Sequence, residues 1–426
     1  MKTSSKVEAL ARAARAASRT LSRAPTSVKN RALREMAAAL RRSAAAVLSA
    51  NGEEVAAARA RGETAAFLDR LTLDARRLEA VALGLERVSR LPDPVGAVRE
   101  FARRPNGLVI SKMRVPLGVI AVIYESRPGV TADAAGLCLK SGNAAILRGG
   151  REAVRTNALI ARALRAGLRA AGLPEGAVGF IDSTDRAEVR RLLRLDGDID
   201  LVVPRGGPQL TRAVRRLSLI PVLAHDKGLC HVYADRAADP AMAEEIAFNA
   251  KAERPGVCNA METLLVHRSA AGALLPRLSR RLRAAGVLLR GCPRSRAAAP
   301  GMMSAACEAD WDAEYLDKIL SIKVVDSLDE AIDHIARHGS GLAEAIVTRD
   351  RRAAERFLRE VDAGAVYWNA STRFTDGGEF GLGAEMGIST QKLHARGPVG
   401  LEGLTCEKFV VRGRGQTRDS SRAPAR

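Results

Sequence analysis

The side chain with the greatest chemical reach lies in the run NAKAERPGVCNAMETLLVH, Asn249–His267. Cys258 stands there in a Pro-Gly-Val-Cys-Asn loop, after a predicted helix at Pro240–Lys251 and before a predicted strand at Glu262–His267. A thiol on a tight loop between regular elements is placed to point into a cleft. A thiolate is also the strongest nucleophile a side chain offers near neutral pH. The competing reading makes Cys258 a small buried hydrophobe, and the rest of the chain decides between them. Two glycine turns supply a second kind of chemistry, Leu147-Arg148-Gly149-Gly150-Arg151 and Pro204-Arg205-Gly206-Gly207-Pro208. Each follows an apolar run and opens a helix, where glycine admits close backbone approach and free N–H groups favour anions. Pro208 suits the first helical position. Neither turn is G-x-G-x-x-G, and tight strand–helix turns use glycine without any ligand. The flanking Arg148, Arg151 and Arg205 favour a phosphate-bearing cofactor.

The elements that must position these groups follow from periodicity. Up to residue 97 the chain reads as helices only: Ser5–Leu21, Ser27–Ala50, Asn51–Gly62 and Leu73–Leu91. Val7, Leu10, Ala14, Ala17 and Leu21 make an amphipathic stripe, so the Arg- and Ser-rich start reads as a native first helix rather than a transit peptide. Apolar, β-branched runs then alternate with helices: Gly118–Tyr124, Thr131–Leu139, Ala144–Leu147, Glu152–Ala171, Val178–Phe180, Arg186–Leu195, Ile199–Val203 and Gln209–Leu217. That alternation predicts a parallel, doubly wound sheet. A second α/β block runs from about Pro240 to Thr390. Pro293–Pro300 reads as a surface loop, and Arg412–Arg426 as disordered.

The net charge of +20 raises nucleic acid as a partner. Its distribution argues against that: arginines scatter over helix faces, aromatic residues make up 3% of the chain, and no nucleic-acid motif occurs. No apolar run reaches the ~18 residues that a bilayer span needs. Cys138, Cys230, Cys258, Cys292, Cys307 and Cys406 form no C-x-x-C pair and no metal-ligand spacing, so no metal is expected. Thiols so spread point to a reducing, cytoplasmic setting.

Three long segments then carry a resemblance beside the Cys258 loop: VPLGVIAVIYESRPGVTADAAGLCLKSGNAAILRGG (Val115–Gly150), DWDAEYLDKILSIKVVDSLDEAI (Asp310–Ile332) and VYWNASTRFTDGGEFGLGAEMGISTQKLHARGPVGLEGLT (Val366–Thr405). From the first helix to about Gly413 the chain resembles the γ-glutamyl phosphate reductase (glutamate-5-semialdehyde dehydrogenase) family of the aldehyde dehydrogenase superfamily. The resemblance implies an aldehyde dehydrogenase-like α/β fold. Its parts would be a doubly wound cofactor-binding domain (1–104 and 116–235), a smaller α/β catalytic domain (236–395), oligomerisation strands (105–115 and 396–413) and a disordered basic tail (414–426). The arm would pair Leu108–Arg114 with Lys408–Val411.

The same resemblance implies an enzyme: NADPH-dependent reduction of L-glutamate 5-phosphate to the 5-semialdehyde, with release of phosphate, in proline biosynthesis. Cys258 would be the nucleophile and pass through a thioester. Arg148, Gly149, Gly150, Arg151, Arg205, Gly206, Gly207 and Glu314 would hold the cofactor. Glu314 would take the nicotinamide ribose, and Arg151 the 2′-phosphate that favours NADPH over NADH. Arg127, Arg254, Asn369 and Arg373 would hold the substrate's carboxylate and phosphate. Hydrolytic relatives carry a water-activating glutamate; here Leu223–Gly228 offers His225 nearest that position, as suits a reductase that must protect its thioester. Partners would be a second copy of the chain and, transiently, glutamate 5-kinase, with no membrane or nucleic acid. Four residues depart from the family pattern. Gly129 stands where the family has the asparagine of the oxyanion hole, Leu342 replaces a common histidine, and Asp226-Lys227 also differs. They keep two alternatives open: a related semialdehyde dehydrogenase, or a low-activity paralogue.

Overall fold

The computed structural model describes residues 5–225 and 227–418. The chain forms two compact units: one up to Arg205 with Arg216–Val222 and the segment from Leu401, the other Gly206–Arg215 with Leu223–Gly400.

The first unit opens on α1 (Lys6–Leu21), α2 (Thr26–Arg42), α3 (Ala44–Ala60), α4 (Ala65–Leu71) and α5 (Ala75–Arg90). Ser5 and Glu8 form a capping box at the start of α1. Val7, Ala11, Ala14, Ala17 and Leu21 bury the stripe that the sequence predicts. The continuous helix expected over 27–50 breaks at Ser43, and the bend lets both α2 and α3 pack on a later helix, α7 (Val154–Ala170). Asn51 does not start a helix. It lies buried within α3, where its amide donates to Leu71 O (3.0 Å) and accepts from Leu73 N (2.7 Å), pinning the turn before α5.

A parallel sheet follows, β3 (Val119–Tyr124), β4 (Ala144–Arg148), β5 (Val178–Phe180) and β6 (Leu201–Arg205), in the order β5-β4-β3-β6. Helices α6 (Val130–Lys140), α7 and α8 (Arg186–Leu192) alternate with these strands, and α9 (Pro208–Leu217), next in the chain, falls largely in the second unit. All six β3 residues are buried, as a strand covered on both faces requires. The chain steps outward from β3 to β4 and β5, then crosses to β6 on the other side of β3. Ligands bind beyond the carboxyl ends of strands at such a reversal. An antiparallel arm joins β1 (Val98–Arg103), β2 (Val109–Pro116) and β16 (Thr405–Arg412), with Lys112 opposite Phe409. Of the tail expected to be disordered, Arg412 ends β16 and Gln416 donates to Asn106 O (2.9 Å). Residues 419–426 lie outside the described residues.

The second unit holds a seven-stranded parallel sheet: β7 (Cys230–Ala234), β8 (Met261–His267), β9 (Leu288–Gly291), β10 (Ser304–Ala305), β11 (Ile319–Val325), β12 (Ala343–Val347) and β13 (Ala365–Trp368). Their order is β10-β9-β11-β8-β7-β12-β13. This sheet has seven strands against four in the first unit's parallel sheet. Cys230–Ala234, placed by the sequence in the first domain, is a central strand bonded to both β8 and β12. The connecting helices are α10 (Pro240–Ala252), α11 (Arg268–Ala284), α12 (Pro293–Ala298), α13 (Leu328–His338) and α14 (Arg351–Glu360). The surface loop expected at Pro293–Pro300 is thus mostly helical: Pro293 occupies the first turn, and the Cys292 sulfur accepts from Ser295 N. A small ribbon, β14 (Ile388–Ser389) with β15 (Gly397–Pro398), completes this unit.

Candidate active site

In a parallel sheet every strand begins at the same edge. Along β11-β8-β7-β12, the segments entering that edge carry Glu314, Cys258, Gly228 and Leu342 in turn. Topology alone therefore gathers residues far apart in sequence. Cys258 is half-buried and outside any disulfide. Gly228 packs directly on it: a methyl built on Gly228 would stand 2.2 Å from the Cys258 carbonyl oxygen and 2.5 Å from its Cα. The Gly228 N–H donates to Glu314 Oε1 at 2.7 Å. Burial raises the Glu314 pKa, with the Gly228 N–H and Lys227 opposing that rise. The Cys230 thiol, pushed well up in pKa by burial, donates to the Cys258 carbonyl at 3.3 Å. Leu342 is buried with Cys230, Ala343 and Ile388, and Cys258 packs against that cluster. The apolar surroundings suit a leucine at this position. His225 is half-buried beside this segment; Asp226 lies outside the described residues.

The next residue, Asn259, anchors the cysteine loop. Thr372 Oγ1 donates to Asn259 O (2.8 Å), and Asn259 Nδ2 donates to Thr375 O (2.9 Å). Its Oδ1 accepts from the Arg373 guanidinium, whose Nε also donates to Glu253 Oε2 (3.1 Å). Arg373 thus grips the loop at Glu253 and Asn259. Arg254 is exposed on the same loop. Asn369, another substrate candidate, is likewise held by its neighbours. It sits at φ 57°, its Oδ1 accepts from Thr348 N (2.9 Å), and its Nδ2 donates to Thr348 O (3.0 Å). Both ends of its amide are committed to backbone.

The carboxyl ends of β3 and β4, in the first unit, carry further expected residues. Arg148 ends β4 half-buried; burial lowers its pKa, Glu152 opposes that, and its Nε is buried with no protein partner. A methyl on Gly149 would meet Asn157 Nδ2 at 2.1 Å, and one on Gly150 would meet Glu152 Oε1 at 2.0 Å. Packing against buried Asn157 and Tyr124 restricts Gly149, whereas at Gly150 only the mobile end of Glu152 stands in the way. Glu152 Oε1 accepts from Ser126 N (2.7 Å) and Ser126 Oγ (3.0 Å), holding Ser126 at φ 47°. Asn157 Nδ2 is a second buried donor without a partner. Two orphaned donors at one strand–helix turn fit the oxygen-rich groups of a nucleotide cofactor. Arg151 and Arg127 are exposed, Arg205 is half-buried, and Gly206 and Gly207 are exposed in the turn after β6. Among the described residues no His, Cys, Asp or Glu group suits a metal.

Sequence reasoning missed Gly228, Asn259 and Glu253. Gly228 ends a stretch read only for its lack of a glutamate, and Asn259 adjoins Cys258; neither carries a local signal of its long-range contact.

The aldehyde dehydrogenase family model matches residues 1–299 and 310–386. The chain is 52% identical over 412 residues to the gamma-glutamyl phosphate reductase of Thermoanaerobacter pseudethanolicus, covering 97% of this chain and 99% of that protein. The crystal structure of gamma-glutamyl phosphate reductase from Thermotoga maritima superposes with a TM-score of 0.95 at 45% identity, covering 97% of this chain and 100% of that one. An acetylating aldehyde dehydrogenase from Geobacillus thermoglucosidasius, 19% identical over 97% of this chain and 98% of its own, shares the fold at a TM-score of 0.66. The chain belongs to the aldehyde dehydrogenase family, within its γ-glutamyl phosphate reductase branch, and is an oxidoreductase.

Proposed function

We propose that the protein reduces L-glutamate 5-phosphate to L-glutamate 5-semialdehyde with release of phosphate, in L-proline biosynthesis, using NADPH. The observation that carries this reading is Cys258, half-buried on a loop braced by Gly228, Cys230 and Asn259. The Cys258 thiolate attacks the acyl carbon, the C–O bond to phosphate breaks, and a thioester remains. An acyl phosphate is already activated, so no strong acid is needed to expel its leaving group. Bound NADPH supplies the hydride that reduces the thioester carbonyl. The resulting thiohemiacetal collapses to aldehyde and returns the thiolate. Cys258 needs no neighbouring base that activates water, since water would hydrolyse the thioester.

Arg148 Nε and Asn157 Nδ2, the two orphaned donors, would meet the cofactor with Gly149, Gly150 and Arg205 to Gly207. Arg151 would take the 2′-phosphate and Glu314 the nicotinamide ribose. Arg127 and Arg254, whose planar forks match carboxylate and phosphate oxygens, would hold the substrate. The protein would act in the cytoplasm as a homo-oligomer built through the β1-β2-β16 arm, and take its labile substrate in a transient handover from glutamate 5-kinase.

The test runs the reaction backwards: semialdehyde, phosphate and NADP⁺ are mixed and reduced cofactor is followed. Phosphate-dependent turnover, lost in Cys258→Ala by on the order of 10⁴-fold or more, is expected. Equal signals with and without phosphate, or in the variant, contradict the reading. Gly129 favours one rival, a low-activity paralogue, because losing an oxyanion donor costs about a hundredfold in rate. A methyl on Gly129 would stand 3.1 Å from Val81 Cγ2, so Gly129→Asn is best made with Val81→Ala. A kcat raised by this change supports a missing donor; an unchanged kcat removes that rival.

A further inference from the structure

Beneath the cysteine loop lies a charged pair that the mechanism does not use. Lys251, in the last turn of α10, and Glu262, in β8, are both fully buried, with Nζ 2.6 Å from Oε2. They stand at the two ends of the segment that carries Cys258, so their contact closes the base of that loop. The other Glu262 oxygen, Oε1, accepts from Leu316 N at 3.1 Å. Leu316 sits at φ 51°, a left-handed conformation that leucine rarely adopts. Its side chain is 45% exposed, so packing does little to hold it there. Two residues earlier stands Glu314, which binds Gly228 N, and Gly228 abuts Cys258. One continuous circuit therefore runs from Lys251 through Glu262, the Leu316 backbone, Glu314 and Gly228 to Cys258.

We propose that Lys251 and Glu262 are positioning residues, whose pair sets the Cys258 loop and fixes the strained turn that aims Glu314. The idea rests on the reading of Cys258 as nucleophile and Glu314 as a cofactor contact. Stability alone does not call for such a pair. Two apolar residues of similar volume would fill the space without the desolvation cost that buried charges carry. What they could not do is accept the Leu316 N–H. The carboxylate must also stay where it is, and Lys251 anchors it from the opposite side. Loss of the clamp frees Leu316 to relax out of its left-handed well and swings Glu314 with it.

The test compares two double variants of the full chain. Lys251→Met/Glu262→Gln removes both charges but keeps an acceptor for Leu316 N–H. Lys251→Met/Glu262→Leu removes the acceptor too. Three readouts are taken: the NADP⁺ dissociation constant, the iodoacetamide alkylation rate at Cys258 resolved by peptide mass spectrometry, and the urea unfolding midpoint. The Met/Leu variant is expected to bind NADP⁺ about tenfold more weakly or worse and to change the Cys258 alkylation rate, with its midpoint held. The Met/Gln variant should stay near wild type in all three. Wild-type cofactor binding and alkylation in the Met/Leu variant overturn the proposal, and so does equal damage in both variants. Should a variant not fold, amide exchange in the wild type decides: protection of Leu316 N–H like that of β8 amides supports the clamp, and exchange at exposed-loop rates overturns it. A failure of the underlying enzymatic reading shows separately, as absent phosphate-dependent turnover in the wild type, which none of these readouts uses.

Discussion

The backbone of Cys258 is held from three sides, by Gly228, by the Cys230 thiol and by the chain around Asn259. Gly228 is the contact least able to tolerate change, because backbone cannot retreat as a side-chain tip can. In Gly228→Ala the new methyl would meet the Cys258 carbonyl oxygen at 2.2 Å, and the loop must shift by about an ångström. A shift of that size near reacting atoms costs about a hundredfold in kcat/KM, and steady-state kinetics on the folded variant would show it. Asn369 presents the opposite case. The family resemblance implies a substrate role for it, yet its amide clamps Thr348 and its backbone is left-handed. Asn369→Ala is expected to lose about 2–3 kcal/mol of stability, from two hydrogen bonds and an unfavourable φ, with KM for the substrate unchanged. Urea unfolding and kinetics together check this; a raised KM with stability intact would return Asn369 to the substrate set. Cys258 and Glu314 could be found in the sequence because they sit within distinctive local runs. Gly228 and Asn259 could not, since their partners lie 86 and 114 residues away.

At the scale of elements, periodicity revealed what buries a face. The α1 stripe and the wholly buried β3 were readable for that reason. The bend at Ser43, the short α4, the solvent-facing β1 and the six-residue α12 were not. Each is short or bends for a tertiary reason, so no apolar period marks it. One buried group in α13 gives the second unit an acid sensitivity. His334 packs edge-on against His231 of β7 and Trp311, beside His338, with Lys323 Nζ 3.2 Å from its Nδ1. Burial, reinforced by His231, Lys323 and His338, holds its pKa down to about 2. An unfolded histidine titrates near ~6.5. Above that pH neither state binds the proton. Below it only the unfolded chain does, so stability is present above ~6.5 and is lost as pH falls, by about 1.4 kcal/mol per unit. His334→Leu should flatten this slope between about pH 7 and pH 5 in urea unfolding midpoints. An unchanged slope would mean that another group governs it.

Over the whole molecule, the chain's net charge is +20, and part of its arginine is neutralised in surface ion pairs. Examples are Arg41 with Glu79 and Glu86, Arg281 with Glu244 and Glu245, and Arg356 with Asp329 and Glu360. The feature that asks for a partner is the arm. Val98, Phe101, Phe409 and Val411 are each at least half exposed. Phe101 and Phe409 meet edge to face with centroids 5.5 Å apart, and Lys112 Nζ lies 5.3 and 5.2 Å from them. An apolar patch of this kind on a three-stranded arm suits an interface between copies. Phe101→Ser/Phe409→Ser is expected to yield a smaller species in analytical ultracentrifugation; an unchanged mass would place the interface elsewhere. The α/β architecture was legible from alternating strands and helices, but the strand-rich second unit was not, because β10 and β13 are too short to announce themselves. The central claim is that Cys258 becomes acylated during turnover. Semialdehyde and NADP⁺ are mixed with enzyme without phosphate, quenched in acid, digested, and read by mass spectrometry. A glutamyl adduct is expected on the peptide bearing Cys258, and it should disappear once phosphate is added. Reduced cofactor formed with no adduct there, or with one on a different cysteine, would contradict it.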